Sequence, residues 1–320
     1  LKELWEINEE NFDDGLVEHS MGWPLSDETK GGSFLYHFDK NLVSIGYVIH
    51  LNYTNPYVSP FDEFQQFKTH PSVKKVLKGG KRISYGARAI TTGGYQSVPK
   101  LYFPGGAIIG CSAGFLNYPK IKGTHNAMES GMLAAEAIID NYISNNQEND
   151  LTNYQEKYEN SRIAKELKRV RNIKPYQARY GVLLGTLFSG LDMWLSTFGI
   201  TVPFTLGHNK PDHKTLRKAS ECNEIEYQKP DGKFSFDKLS SVFLSNTNHE
   251  EDQPSHLTLK DSLIPISYNL PEYDEPAQRY CPAGVYEIIK SSESNEPCLQ
   301  INAQNCVHCK TCDIKDPSQN

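Results

Sequence analysis

The sequence predicts a multidomain chain of the α+β and α/β kind, and three observations carry that prediction. The first 100 residues hold short runs of β-branched and aromatic residues bounded by Gly and Pro. A glycine-rich turn near residue 110 precedes a stretch rich in Ala, Met, Leu and Glu, which is helix-forming composition. Five of the seven cysteines fall in the last 40 residues. A chain of 320 residues is long enough for about two domains or more. Hydrophobic residues at 38% support a sizeable core. The net charge of −6 argues against a nucleic-acid binder, whose surface should be basic. Cysteines this sparse, and odd in number, do not make a disulfide scaffold. The chain opens on Leu1 without Met or signal peptide and stops in polar residues after a cysteine cluster, so it is expected to be a piece of a longer protein.

Gly31-Gly-Ser-Phe-Leu-Tyr-His-Phe38 and Leu42-Val-Ser-Ile-Gly-Tyr-Val-Ile49 read as two sheet strands around a turn. Asn55-Pro, Ser59-Pro and His70-Pro then break the chain into loops and a short helix near residues 61–67. Residues 82–88 read as a further strand. The expectation is a mixed-sheet domain with no catalytic triad, and among the histidines dispersed along the chain His37, His50 and His125 are expected to be structural.

Residues 107–109 are an apolar run of the buried-strand kind, and Gly110-Cys-Ser-Ala-Gly114 comes next. Gly123-Thr-His-Asn-Ala127 then opens a predicted helix, with Thr124 as its cap and Met128, Gly131, Met132 and Ala135 on one face. A strand, a Gly-x-x-x-Gly turn and a helix N-terminus form a cradle for anions and carbonyls. Many FAD domains end this way, the helix dipole facing the flavin edge where reduction places negative charge. A plain packing unit is the competing reading. No GxGxxG follows a strand, so the half of such a site that holds a pyrophosphate is missing, which fits a chain truncated at its N-terminus.

Residues 144–150 are polar and loop-like, and residues 154–179 form a basic helical pattern. Residues 181–204 are the most apolar window. Asp192 within it makes a membrane span costly. A basic run abutting an aromatic, apolar stretch suits a helix lying in the membrane interface, with a buried core helix as the alternative.

Cys306-Val-His-Cys309-Lys-Thr-Cys312 is C-x2-C-x2-C, a spacing that lets a curling loop aim three thiolates at one [4Fe–4S] cluster. In two-cluster ferredoxins the run continues to a fourth Cys serving the other cluster. Asp316 stands there, so one cluster is expected. Its fourth ligand must come from afar, and Cys281, followed by Pro282, has the right context, with Cys298 as a substitute. Zinc held by three of these cysteines with His308 or Cys298 competes, although the chain lacks the two separated Cys pairs that structural zinc prefers. Tyr286 and Thr311 are positioned to offer hydroxyls to cluster sulfurs. Cys111 and Cys222 read as plain thiols.

Together these segments resemble the electron transfer flavoprotein–ubiquinone oxidoreductases. The resemblance is carried by Gly31-Gly-Ser-Phe-Leu-Tyr-His37, Asn55-Pro-Tyr-Val-Ser-Pro-Phe61, Gly79-Gly-Lys-Arg-Ile-Ser-Tyr-Gly-Ala-Arg88, Gly110-Cys-Ser-Ala-Gly-Phe115, Arg279-Tyr-Cys-Pro-Ala-Gly-Val-Tyr-Glu287 and the cysteine block. It runs over essentially the whole chain and corresponds to the C-terminal half to two-thirds of such an enzyme. It implies an oxidoreductase with one FAD and one [4Fe–4S] cluster, attached to one membrane leaflet without spanning it. Such an enzyme takes electrons from reduced electron transfer flavoprotein and delivers them to ubiquinone. It would sit at the mitochondrial inner membrane on the matrix side, or at the bacterial cytoplasmic membrane on the cytoplasmic side.

By position, the resemblance makes Cys281, Cys306, Cys309 and Cys312 the cluster ligands and Gly31 and Gly32 the glycines whose backbone meets the quinone. Gly110, Cys111, Ser112, Ala113 and Gly114, with Gly123, Thr124, His125, Asn126 and Ala127, become the C-terminal half of the FAD site. The implied domains are a quinone-binding domain over 1–100, an FAD part over 101–143, a helical membrane-contacting segment over 144–205 and a ferredoxin-like cluster domain over 206–320. A ferredoxin-like electron carrier would leave the glycine turn and apolar window unexplained. An FAD-dependent reductase with a non-quinone substrate would leave the cysteine block unexplained.

Overall fold

The computed structural model describes residues 1–144, 150–208, 210–291 and 295–320. The predicted polar loop at 144–150 lies almost wholly outside the described residues. The chain forms two compact units, one of residues 1–89 with 210–320 and one of residues 90–209.

The first unit is built on a five-stranded sheet of β1 (Lys2–Glu6), β2 (Val17–Met21), β3 (Gly31–Phe38), β4 (Leu42–Ile49) and β5 (Lys81–Gly86), in the order β2-β3-β4-β1-β5. Every pairing is antiparallel, which corrects the expected mixed sheet. Helices α1 (Pro60–Phe67) and α2 (Pro71–Leu77) do carry the chain from β4 across to β5. β1 lies between those two strands and is antiparallel to both, so the crossover leaves no parallel ladder. Ser59 caps α1 by accepting from the Asp62 N–H, and Pro60 takes the first helical position, where its missing N–H is harmless.

Alternation in the strands sends Leu35, Val43, Ile45 and Tyr47 inward with Trp5, where Phe64, Phe67, Val73 and Leu77 of the helices join them. Fully buried within this core, Lys68 donates to both Glu3 carboxylate oxygens at 2.8 Å, and Arg82 shares Oε1 at 3.2 Å. Burial pushes the Lys68 ammonium down to about 8 against the pull of Glu3.

In the second unit, β6 (Tyr102–Phe103) and β7 (Gly106–Ala107) form a two-residue hairpin. The buried strand expected over 107–109 is therefore corrected. The Ile108 N–H still reaches the Leu101 carbonyl at 2.8 Å, but the ladder ends there and Ile109 is exposed. Helix α3 (Thr124–Ile143) begins one residue earlier than its expected cap allows. Gly123 occupies the cap position and Thr124 is already helical. The helix buries Asn126, Ser130, Ala134 and Ala137, while Met128 and Met132 stand exposed. The charged pattern expected as one helix is divided into α4 (Thr152–Asn160), α5 (Arg162–Arg169) and the start of α6 (Ile173–Thr197). Ser161 makes the first break, taking an extended backbone and capping α5 through the Ala164 N–H.

The last third of the first unit contributes α7 (Lys238–Phe243), a π-helical turn at Pro265–Asn269, and helices α8 (Leu270–Tyr273) and α9 (Ala277–Tyr280). The hairpin β8 (Tyr286–Lys290) with β9 (Pro297–Ile301) and helix α10 (Thr311–Lys315) complete it.

Candidate metal centre

Cys281 ends α9, and Cys306 ends a 3-10 turn over Ala303–Asn305. Between Cys306 and Cys312, His308 and Lys310 take left-handed backbone angles, φ 53° and 66°. That conformation is unfavourable for residues with a Cβ, and it curls the loop so that its cysteines face one way. Cys281, Cys306, Cys309 and Cys312 line a single pocket, walled by Leu257, Tyr280, Ala283, Val285 and Tyr286. Cys298, on β9, is not part of that lining.

The sulfurs are met by donors. Cys281 receives the backbone N–H groups of Val285 and Ala283. Cys306 receives that of His308 at 3.4 Å. Cys312 receives the Tyr286 hydroxyl and the Asp313 N–H. Burial is the largest influence on the thiols, pushing Cys281 up to about 11 and raising Cys306 and Cys312. Burial thus disfavours the bare thiolates, and a metal that draws them into the ionised form would find N–H and O–H donors to them in place. That chemistry fits an iron–sulfur cluster. Among the described residues, no three of the cysteine sulfurs are as close together as the ligands of one zinc ion. Sulfurs bonded to zinc at ~2.3 Å stand roughly 3.8 Å apart. Among the described residues, the group of three donor atoms that come within 4.8 Å of one another is His256, Cys306 and His308, not a set of cysteines.

Three imidazoles cap this edge, with centroids 5.3 Å apart for His249–His256, 5.0 Å for His249–His308 and 4.8 Å for His256–His308. His249 Nε2 donates to the Cys306 carbonyl at 2.9 Å. Burial and the other two rings lower the His308 pKa. The loop is tied to β5 and to Ala89 just beyond it. The Tyr85 hydroxyl donates to the Pro282 carbonyl at 2.8 Å, and the Ala89 N–H to the Cys309 carbonyl at 2.8 Å. From α10, fully buried Lys315 donates to the Tyr53 carbonyl at 2.8 Å, Thr215 Oγ1 at 2.9 Å and the Asp212 carbonyl at 3.2 Å. Those acceptors match the three N–H bonds of an ammonium, while burial pushes its pKa down to about 7.

Gly31 and Gly32 open β3. A Cβ on Gly31 would stand 2.2 Å from the Val48 carbonyl oxygen, and one on Gly32 would stand 2.6 Å from that of Ser20. The sheet itself thus requires both glycines.

In the second unit Gly110 and Gly114 have left-handed angles, φ 59° and 82°, around a 3-10 turn that leaves Cys111 and Ser112 exposed and buries Ala113. Ser130 of α3 accepts the Gly110 N–H at 3.0 Å, and a Cβ on Gly110 would stand 3.3 Å from that of Ala127. Asn126 donates to the Phe115 carbonyl at 2.9 Å. His125 pairs with Glu166 at 3.0 Å. The turn and the first residues of α3 are therefore brought together.

Helix α6 breaks at Gly181, φ 74°. Its second part passes so close to its first that a Cβ on Gly185 would lie 2.5 Å from Gln177 Cα. Gly185, Ser189 and Asp192 form the buried face. Leu183, Leu187, Leu191, Trp194 and Phe198 form an exposed face. Asp192 accepts from Asn172, which also donates to the Phe204 carbonyl at 3.1 Å and accepts the Leu206 N–H at 2.8 Å. Arg171 holds the Val202 and Phe204 carbonyls. Burial raises the Asp192 carboxyl. No helix among the described residues is long and apolar enough to cross a membrane.

The histidine stack, Lys315 and the N–H groups aimed at sulfur were not anticipated. The histidine stack and Lys315 have no local pattern because their partners are distant in sequence, and the N–H groups, though local, depend on loop angles that residue identity does not announce.

Comparison with known proteins agrees with this geometry. Residues 232–320 match the family model "Electron transfer flavoprotein-ubiquinone oxidoreductase, 4Fe-4S", and residues 1–90 match "ETF-QO, ubiquinone-binding". The electron transfer flavoprotein-ubiquinone oxidoreductase of Pseudomonas aeruginosa is 56% identical over 100% of this chain and 58% of its own length. The mitochondrial human protein of that name is 55% identical over 100% of this chain and 53% of its own, and that of Caenorhabditis elegans 52% identical over 100% and 55%. The chain thus spans little more than half the length of the curated relatives it matches. It carries the cluster and ubiquinone-binding domains of the electron transfer flavoprotein-ubiquinone oxidoreductase family and aligns with the C-terminal part of these relatives.

Proposed function

We propose that this chain is the quinone-binding and cluster-binding part of a membrane-attached oxidoreductase that passes electrons from reduced electron transfer flavoprotein to ubiquinone. The observation that carries the proposal is the convergence of Cys281, Cys306, Cys309 and Cys312 on one cavity whose donors point at sulfur. A [4Fe–4S] cluster there would relay one electron at a time. The four cysteines would hold it. Tyr286 and the backbone N–H groups would favour its more negative state, and the walls of Leu257, Val285 and Tyr280 would keep water away.

The domain division proposed is quinone-binding residues 1–100, an FAD part at 101–143, a membrane-contacting segment at 144–205 and a ferredoxin-like domain at 206–320. Gly31 and Gly32 would present β3 backbone to the quinone. Thr311 would add a second hydroxyl near the cluster. Residues 110–114 and 123–127 would supply half of an FAD site, a reading supported by the turn packed on the start of α3. Attachment to one leaflet is supported by α6, whose outward face is apolar and whose one carboxylate is turned inward. The corresponding location is the mitochondrial inner membrane on its matrix side, or the bacterial cytoplasmic membrane on its cytoplasmic side. The direct test is quinone reduction by the intact, cluster-loaded protein supplied with reduced electron transfer flavoprotein. The proposal expects turnover with a short-chain ubiquinone and its loss in Cys306→Ser. Turnover unchanged without the cluster would overturn it.

A further inference from the structure

A second, wider cleft adjoins the cysteine pocket. Leu257, Tyr280, Tyr286 and Cys312 line both. The cleft also reaches two polar side chains that the cluster chemistry leaves unused. Glu275 and Asn269 are 1% and 2% exposed. Glu275 Oε1 accepts the Ala277 N–H at 3.1 Å, but its Oε2 has no partner. Asn269 donates to Asp316 Oδ1 at 3.0 Å, which fixes its amide orientation and leaves its own Oδ1 unpartnered.

The backbone holds Glu275 in place at a rarely used conformation. Asp274 and Glu275 both have left-handed angles, φ 54° and 38°. Each of these buried acceptors lacks a donor, and burial of that kind favours the un-ionised carboxyl, which carries one O–H donor of its own. Burial pushes Glu275 up to about 7, with Asp316 adding to the rise and the Ala277 N–H, Asn269 and Arg279 opposing it. Tyr280, on α9 between the two spaces, feels the charges of Asp316, Glu275 and Cys312 together. The other ionisable side chains along the cleft are His256, Lys260, Asp313 and Tyr286.

We propose that Glu275 is a proton site linked to the cluster: when the cluster gains one electron from its flavoprotein donor, the Glu275 carboxylate takes one proton from water in the cleft, and it returns that proton when the electron leaves. The electron adds negative charge on the far side of Tyr280, which favours the neutral carboxyl, and the proton balances that charge. Glu275 touches neither electron donor nor acceptor and acts as a positioning and tuning residue. The inference rests on the cluster reading above.

The test is a redox titration of the cluster by electron paramagnetic resonance in the intact protein, between pH 5.5 and 8.5. The expected result is a midpoint that falls as pH rises through neutrality. A tenfold change in the proton affinity of Glu275 on reduction equals about 59 mV over the whole range. Glu275→Gln keeps the shape without the titration. Its midpoint should be flat with pH and close to the acidic limit of the unaltered protein. Difference infrared spectra at pH 7 should show a carboxylic C=O band growing on reduction and absent from the variant. A pH-independent midpoint in the unaltered protein would overturn the proposal even if the variant does not fold. An unchanged slope in Glu275→Gln would overturn it too, assigning the proton to the histidine stack. Absence of any cluster signal would instead defeat the cluster reading itself.

Discussion

The cysteine pocket of the first unit and helix α6 of the second both bury polar groups, and they do so to opposite ends. In the pocket, the functional sulfurs are inside and apolar side chains shield them. In α6, Gly185, Ser189 and Asp192 are inside and the large apolar side chains are outside. A polar atom in a protein interior is tolerable when its hydrogen-bonding partners are built in. The pocket meets that condition with N–H and O–H donors to sulfur, α6 with Asn172 and Arg171. What the contrast teaches is that the location of an ionisable residue says little until its partners are known. The same buried environment prepares one site for a metal and frees the other to present a greasy surface.

The sharpest way to break the comparison is to remove a ligand. Cys281→Ser should abolish the cluster's visible absorbance, whereas Cys298→Ser and Cys111→Ser should leave it intact, with iron content as the check. Equal loss in Cys298→Ser would mean that the remote ligand has been misassigned.

Next in size is the anchor behind the pocket. Lys315→Met removes the three hydrogen bonds of a buried ammonium, each worth about 1.5–3 kcal/mol for a charged group, while Thr215 remains as a donor to the Tyr53 and Asp212 carbonyls. Partial relaxation should hold the loss of stability to roughly 3 kcal/mol, read from denaturant-induced cluster bleaching. An unchanged midpoint would show that α10 is held by other contacts.

On the side of α6, Leu187 is 65% exposed on the outward stripe. Burying a leucine contributes about 1.5–3 kcal/mol, so Leu187→Glu should weaken binding to lipid vesicles at least tenfold. Asp192→Asn, on the inward face, should change it little. If the two variants behaved alike, the inside-out reading of the helix would be wrong.

The smallest effect concerns tuning. Tyr286 donates to Cys312, and a donor to sulfur favours the reduced, more negative cluster. Tyr286→Phe should keep the cluster and lower its midpoint by about 20–60 mV, since only the difference between redox states is expressed. An unshifted midpoint would reduce the hydroxyl to a packing role.

The two regions also differ in how far the sequence disclosed them. The cluster was legible because C-x2-C-x2-C is a local constraint, and Cys281-Pro282 is a recognisable context for a distant ligand. The apolar character of residues 181–204 was equally plain, but its orientation was not. Periodicity says which residues share a face and is silent on which face turns inward. Asp192 therefore left the orientation of the segment open, and its burial beside Asn172, 20 residues away, is what turns that face inward. The same limit explains α3, where the Met128 face was visible as a stripe yet proved to be the exposed one. Among the strands, β3 and β4 were readable from alternation. The insertion of β1 between β4 and β5, which makes the sheet wholly antiparallel, pairs residues as far apart as Lys2 with Gly46 and Lys2 with Gly86 and has no local signature.

The most direct test of the central claim is metal and sulfide analysis of anaerobically prepared protein, combined with the paramagnetic spectrum of its reduced form. The pocket geometry predicts about four irons and four acid-labile sulfides per chain, with a reducible [4Fe–4S] signal that Cys306→Ser removes. One zinc per chain, no sulfide and no signal would contradict it.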